Sequence, residues 1–398
     1  MNYPEDKMAN RNPILWLASW YPGHTHTSNG DFIERHAQAV SAYEKVIVLF
    51  IEKDLSLPSA EVREVKTEEG NLVVYKVYYS KSRWGSFIEK IFSIYRFTSL
   101  QRKYYKKIVA EYGKPAVVHV HVAMKAGMLA HDLKRKYGIP YALTEHWTGY
   151  YKESSPNLYT GKPAFKYITR RIIEKANILL PVSHHLGKTI SENLIPVKFE
   201  VIPNVVNTNF FYYRPNIKSR FRFIHPSYLN YQKNPEGMIR AAVKLAEMGY
   251  DFELLLLGND DKGLLQFVES TGLLNKNILI KPEMAYADVA KHMQESSALL
   301  LFSRFENLPC VLLEALCCGL PVISSDVGGI PEVITHKNGI LVKSDDIESL
   351  VNAMKTMIDN YSRFDREAIA NDASRKFSYE VVAEKYLQVY KNLISKNQ

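Results

Sequence analysis

The chain has 398 residues, with 51 Lys and Arg against 42 Asp and Glu for a formal charge of +9; 46% of it is hydrophobic and 23% charged. That excludes a disordered chain and a miniprotein, and the length exceeds what one core usually fills, so two domains are expected. The positive surplus is modest and no helix-turn-helix, zinc-finger or single-strand-binding signature accompanies it, so nucleic acid is not an expected partner, whereas acidic small molecules and anionic membranes stay open as partners.

The first twelve residues (MNYPEDKMANRN) are polar and lack the apolar core of a signal peptide. No later run approaches the roughly 18–20 apolar residues of a membrane span, so a soluble, cytoplasmic protein is expected. From there short β-rich apolar runs alternate with helical patterns, the signature of parallel sheets covered on both faces. The expected strands of the first half are Ile14–Ser19, Val46–Phe50, Leu72–Tyr79, Ala116–His121, Tyr141–Thr144, Ile178–Val182 and Glu200–Ile202. Pro203–Arg220, rich in Asn and Pro, reads as a linker. The second half repeats the rhythm at Phe221–His225, Phe252–Leu257, Ile278–Lys281, Ala298–Phe302, Pro321–Ser324 and Ile340–Val342. Tyr379–Ser395 ends the chain with Val382, Tyr386, Val389 and Leu393 on one helical face. The expected division is a tail at 1–12, Rossmann-like domains at 13–205 and 221–375, a linker at 206–220 and a terminal helix at 376–398. The three cysteines, Cys310, Cys317 and Cys318, fall in one nine-residue segment with no second Cys or His pair at ligand spacing, which reads as packed, reduced thiols.

Two doubly wound domains facing each other leave a cleft at the carboxyl ends of their strands, so the chemistry is expected in post-strand loops. There is no G-x-G-x-x-G and no P-loop pattern. The richest loop follows Ala298–Phe302 and runs SRFENLPCVLLEALCCGLPVISSDVGGIPEVI. Pro309 is placed to open a helix reaching about Gly319, whose first N–H groups would suit a phosphate or a polar sugar. Glu306 precedes that helix and Glu314 lies within it, an E-x7-E pair able to accept from hydroxyls at two points of one ligand. Glu314 sits in an apolar run, where a carboxylate needs a partner to offset its desolvation.

E-x7-E followed by EAL-x2-G-x-PV and D-x-GG-x-PE resembles retaining glycosyltransferase family 4. The resemblance covers most of the chain and implies the α/β GT-B fold, two Rossmann-like domains facing across a cleft. It implies that Glu306 contacts hydroxyls of the donor sugar, that the loop Asn307, Leu308, Pro309 and Cys310 holds sugar and phosphate, and that Glu314 binds the nucleotide ribose. SYLNYQKNPEGMIRA at Ser227–Ala241 matches the loop in which Lys233 contacts the diphosphate. The family usually has an Arg five residues before that Lys, and Tyr228 stands there instead. In SWYPGHTHTSNGDFIERHAQAV, Gly30 would let the backbone approach the donor phosphate or the acceptor, and Asp31 would cap the following helix or serve the acceptor. His24 and His26 share that loop, with too few ligands for a metal. His146, after the strand Tyr141–Thr144, takes the place of the histidine that contacts the donor sugar. His121 lies nearer the carboxyl end of its strand than His119 and is the weaker, acceptor-side histidine. Ser183 and Asn204, in PVSHHL and VIPNVVN, resemble signposts near the cleft and the junction.

Trp84–Lys107 mixes basic and aromatic residues at helical spacing, which suits an anionic membrane or a lipid-linked acceptor. A solvated helix packed through Phe87, Ile91, Ile94 and Tyr95 explains the pattern as well. The resemblance thus implies transfer of a sugar from a nucleoside diphosphate sugar to a hydroxyl acceptor, a glycan or a lipid-linked one, with retention and without metal or cofactor. Cell-surface polysaccharide or lipopolysaccharide synthesis at the inner face of the membrane is the expected setting. The rivals are a catalytically silent protein of the same fold that binds sugar nucleotide or glycan, kept open by Tyr228, and a nucleotide-sugar epimerase.

Overall fold

Runs such as VIVLFI at 46–51 and LLLL at 254–257 are apolar at every position, which suits strands buried on both faces. The computed structural model, which describes residues 12–80, 86–215, 220–259 and 263–397, places them in two sheets. The first holds β1 (Ile14–Ala18), β2 (Val46–Lys53), β3 (Val62–Glu69), β4 (Leu72–Tyr79), β5 (Val117–His121), β6 (Tyr141–Glu145) and β7 (Ile178–Pro181) in the order β3-β4-β2-β1-β5-β6-β7. All pairings are parallel except β3 with β4. Its helices are α1 (Asp31–Ser41), α2 (Ser86–Tyr112), α3 (Gly127–Tyr137), α4 (Pro163–Lys175) and α5 (His184–Asn193).

The second sheet is wholly parallel, with β8 (Phe221–Pro226), β9 (Phe252–Leu257), β10 (Ile278–Lys281), β11 (Ala298–Leu301), β12 (Val322–Ser325) and β13 (Gly339–Val342) in the order β10-β9-β8-β11-β12-β13. Around it run α6 (Pro235–Glu247), α7 (Leu264–Ser270), α8 (Tyr286–Gln294), α9 (Cys310–Cys317), α10 (Ile347–Asp359) and α11 (Arg366–Phe377), and α12 (Tyr379–Ser395) ends the chain. Strand order reverses between β1 and β5 in one sheet and between β8 and β11 in the other. The loops leaving those four strands therefore diverge and open the crevices where such sheets bind ligands. The architecture is GT-B, as the motifs imply.

Three expectations are corrected. The polar run VREVKTEE was not expected as a strand, yet it forms β3: it pairs on one side only and stays exposed, so it needs no apolar face. Glu200–Ile202 is no strand. Glu200 N and Ile202 N donate to Leu179 and Pro181 along β7, but Pro203 follows at once and has no N–H to continue a ladder. In α2 the core contacts come from Phe97, Leu100, Tyr104 and Ile108, whereas Ile94 and Tyr95 are 58% and 69% exposed and do not pack. Trp84 and the side chains of Phe87 and Ile91 lie outside the described residues.

The linker is pinned: Val206 N donates to Phe377 O (2.8 Å), Phe211 is buried, and Gln294 Nε2 donates to Phe210 O (2.9 Å). Residues 216–219 lie outside the described part. The expected face of α12 is buried, and it docks on the first sheet, where Tyr386, Tyr390 and Leu393 share a cluster with Trp16, Ile33 and Val40. The chain thus crosses back and ties its two halves together. No described helix is long and apolar enough to cross a membrane.

Candidate functional site

The loops after β8 and β11 carry the first pair of functional side chains. Lys233 lies just before α6, whose start is fixed by Asn234: its backbone is left-handed (φ 53°) and its side chain accepts from Gly237 N at 3.1 Å. Glu306 lies in the β11 loop, which the β8 loop braces through Arg304 N to Gln232 O (2.8 Å) and Gln232 Nε2 to Phe305 O (3.0 Å). Lys233 Nζ meets Glu306 Oε1 at 2.5 Å, so each offsets the other's burial. The pair offers one site a carboxylate for hydroxyl donors and an ammonium for an anion.

The D-x-GG-x-PE segment backs this loop. Gly329 N donates to Asn307 O (2.7 Å), and Gly328 has φ 59° with an ideal Cβ position 1.8 Å from Glu306 O, so only glycine fits. Farther on, Glu332 accepts from His184 N and His185 N (2.8 and 2.7 Å) at the start of α5, where Ser183 Oγ accepts from Leu186 N (3.1 Å). A carboxylate from one half thus caps a helix of the other.

Pro309 is the N-cap of α9 and not its first residue, and the helix ends at Cys317, short of Gly319. No side chain caps its start. Glu314, buried in the second turn, accepts from Tyr286 Oη (3.0 Å) and has Arg35 Nη2 at 3.8 Å. Burial raises its pKa and Arg35 opposes the shift. Burial also pushes the Cys310 and Cys317 thiols up to about 12, so they stay protonated and inert at neutral pH.

In the first half, Gly30 begins α1 in left-handed backbone (φ 79°), with an ideal Cβ position 2.6 Å from Trp20 C and Tyr21 N. The close approach demanding glycine is therefore made by the chain itself. Asp31 does not cap α1, correcting one of its two expected roles; it pairs with Arg35 one turn on, Oδ2 to Nη1 at 2.7 Å. The Tyr228 hydroxyl hydrogen-bonds with Ser28 in the Gly30 loop, across the cleft.

His146 follows β6, its ring against Phe32 (4.6 Å) and nearly parallel to His121 (5.8 Å, 16°). Its Nε2 is buried without a protein partner, and its main-chain oxygen accepts from Asn307 Nδ2 at 2.5 Å. The fold therefore brings His146 beside the loop carrying Glu306. Asn204 joins the same junction by donating to Leu308 O (2.6 Å). His121 does not reach the cleft as expected: it is wholly buried and stacks on Trp16 at 4.1 Å. Among the described residues no group of three or more His, Cys, Asp or Glu is placed to hold a metal.

Burial keeps five histidines neutral: it lowers the pKa of His36 to about 3 and of His225 to about 4, and holds His119, His121 and His146 well below 6.5. Folded values below the unfolded one mean stability that is present above pH 6.5 and is lost as pH falls toward 4. Glu145, raised by burial to about 7, acts oppositely, its contribution being present below the unfolded value near 4.5 and lost as pH rises through 7. Burial raises Glu34 and Glu314 as well, so three carboxyls oppose the five histidines; the net is still a fall, and the unfolding temperature should drop from pH 6.5 to 4.5. A flat profile over that range would contradict the neutral cluster.

Sequence reasoning missed Arg35, Tyr286 and the capping role of Glu332. Arg35 reads as an ordinary charge on an amphipathic helix. Glu332 belonged to a recognised motif, whose wording gave it no partner.

A model of glycosyl transferases group 1 matches residues 214–376, and one of Glycosyltransferase Family 4 matches residues 63–210. The chain is 24% identical over 396 residues to the putative teichuronic acid biosynthesis glycosyltransferase TuaC of Bacillus subtilis, covering 94% of both. It is 24% identical over 295 residues to N-acetyl-alpha-D-glucosaminyl L-malate synthase of Bacillus anthracis, covering 70% of this chain and 75% of that protein. Among solved structures, sucrose-phosphate synthase from Thermosynechococcus elongatus superposes with a TM-score of 0.77 at 16% identity, over 97% of this chain and all of that one. HepE of Anabaena, solved in complex with UDP, gives 0.71 at 16% identity over 96% of this chain and all of that one.

Proposed function

Because the chain belongs to the family 4 glycosyltransferases of GT-B fold, we propose that it moves a sugar from a nucleoside diphosphate donor to a hydroxyl acceptor with retention of anomeric configuration. The observation that carries this reading is the Lys233–Glu306 pair at a topological switch point, with Glu314 in the second turn of α9. Glu306 and His146 orient the donor sugar. Lys233 and the uncapped start of α9, with the Asn307–Cys310 loop, stabilise the departing diphosphate as its charge grows. Glu314 accepts from the ribose hydroxyls, Gly30 lets the chain approach the donor phosphate or the acceptor, and Asp31 borders the acceptor side. Substitution on the front face lets the leaving phosphate oxygen take the acceptor proton, so no carboxylate nucleophile and no metal are required. The protein contributes positioning and electrostatic stabilisation.

The proposed acceptor is a glycan or lipid-linked sugar of the cell surface, reached at the cytoplasmic face of the membrane. Support comes from the Bacillus subtilis relative, named for teichuronic acid biosynthesis, and from Ile94 and Tyr95 standing exposed on the basic helix α2. Tyr228 keeps a silent binding protein as the second reading.

Thermal unfolding in EDTA with UDP, GDP and ADP tests the donor site, since a ligand that binds only the folded chain stabilises it by about 2.7 kcal/mol at a hundred times its Kd. One nucleotide should raise the unfolding temperature, and Glu314→Ala should abolish the rise. Stabilisation retained in the variant would remove Glu314 from the site.

A further inference from the structure

With Tyr228 in place of an arginine, the diphosphate side of the cleft has one cation fewer than the family pattern, and Lys233 is already paired with Glu306. We propose that Arg35, from the opposite half of the molecule, supplies the second cation and binds an oxygen of the donor's α-phosphate. The inference rests on the donor-site reading above and adds to it a residue that the motifs leave without a role.

Arg35 is a long charged side chain only 9% exposed, on the first helix after the Gly30 loop. Its guanidinium lies 4.7 Å over the Tyr286 ring, and Tyr286 in turn donates to Glu314. Of the five N–H donors of a guanidinium, one makes a short bond to Asp31 at 2.7 Å and one engages the Cys310 thiol, a weak acceptor at the start of α9. The approach to Glu314, 3.8 Å, is too long for a hydrogen bond, and Nε is buried with no hydrogen-bond partner among the described residues. A buried, underused guanidinium beside an uncapped helix start has the donors and the charge for a phosphate. Its place relative to the ligand follows from covalent chemistry. Glu314 would hold the ribose, and the α-phosphate hangs from that ribose by a single methylene, so a cation against Glu314 is within reach of the phosphate oxygens. Arg304, the arginine of the β11 loop, has its donors committed to Asp345, Tyr231 O and Asn234 Oδ1. A nucleotide held by Lys233 from one half and Arg35 from the other would also bridge the two domains.

Calorimetric titration of the wild type, Arg35→Gln and Arg35→Lys with UDP, GDP, ADP and the corresponding nucleosides tests this. For the diphosphate that the wild type binds, Arg35→Gln should lose roughly 10- to 100-fold in affinity, as a charged hydrogen bond is worth. Affinity for the matching nucleoside should stay within about twofold, because the ribose and base contacts remain. Arg35→Lys keeps the charge but not the planar fork, so its preference for diphosphate over nucleoside should fall between the other two. That graded preference also carries the test if the glutamine variant does not fold. Equal losses for diphosphate and nucleoside would mean that Arg35 only braces the domains, and unchanged preference in a variant would overturn the inference while leaving the donor site intact. A wild type that binds none of the three diphosphates would sink the donor reading and this inference with it.

Discussion

Glu306→Ala is expected to lower kcat for sugar transfer by about 10²- to 10³-fold, the usual effect of removing one preorganised polar contact to the reacting group. Nucleoside diphosphate affinity should not fall with it. In the wild type the Lys233 ammonium, with 16% of its side chain exposed, is engaged by the Glu306 carboxylate at 2.5 Å. Removing that carboxylate frees the ammonium for the diphosphate, so nucleotide binding should hold or tighten while turnover collapses. A lysine left without its counter-charge costs stability, and thermal unfolding of Glu306→Ala beside Glu306→Gln separates a fold defect from a chemical one. Donor consumption within threefold of wild type would remove Glu306 from the reaction.

The second large effect is expected at a residue that touches no substrate. Gly328→Ala would place a methyl group where Glu306 O now lies 1.8 Å from the ideal Cβ position, at a backbone φ of 59°. The obstacle is main chain and no rotamer relieves it, so the loop carrying Glu306 and Asn307 must move. A shift of about 1 Å in a positioning group can cost roughly 10²-fold in rate. Gly70 is the control, since it has nearly the same φ, 57°, and nothing within 4 Å of its ideal Cβ position. Gly70→Ala should therefore lose only the conformational term, on the order of 1 kcal/mol, with activity unchanged. Gly328→Ala should lose more stability and most of its activity, measured by thermal unfolding and donor consumption. Equal behaviour of the two variants would mean that Gly328 does not hold the Glu306 loop in place.

Most strands were legible because burial on both faces leaves a continuous apolar run, as in Phe252–Leu257, where expected and observed limits coincide. β3 was illegible for the converse reason: VREVKTEE is an exposed edge held by backbone pairing to β4, and its side chains carry no trace of a core. The apolar face of α12 was readable from Val382, Tyr386, Val389 and Leu393, but not that it packs on the first sheet, because periodicity names a face without naming its partner. The site divides in the same way. E-x7-E and the loop around Lys233 are short contiguous patterns, so their residues could be picked from sequence. Their pairing spans 73 residues, and Arg35 reaches Glu314 from the other half of the chain, contacts that only the fold creates. His121 shows the opposite error, for its place nearer the carboxyl end of the strand put it near the cleft while the stack with Trp16 and His146 took its ring into the core.

The most direct test of the central claim is to incubate the wild type and Glu306→Ala with UDP-, GDP- and ADP-sugars in EDTA, following nucleoside diphosphate release and the anomeric configuration of the product by NMR. The site described here predicts that one donor class is consumed by the wild type, that the released or transferred sugar keeps the donor's anomeric configuration, and that Glu306→Ala is nearly silent. Tight nucleotide binding with no turnover of any donor, or a product of inverted configuration, would contradict it.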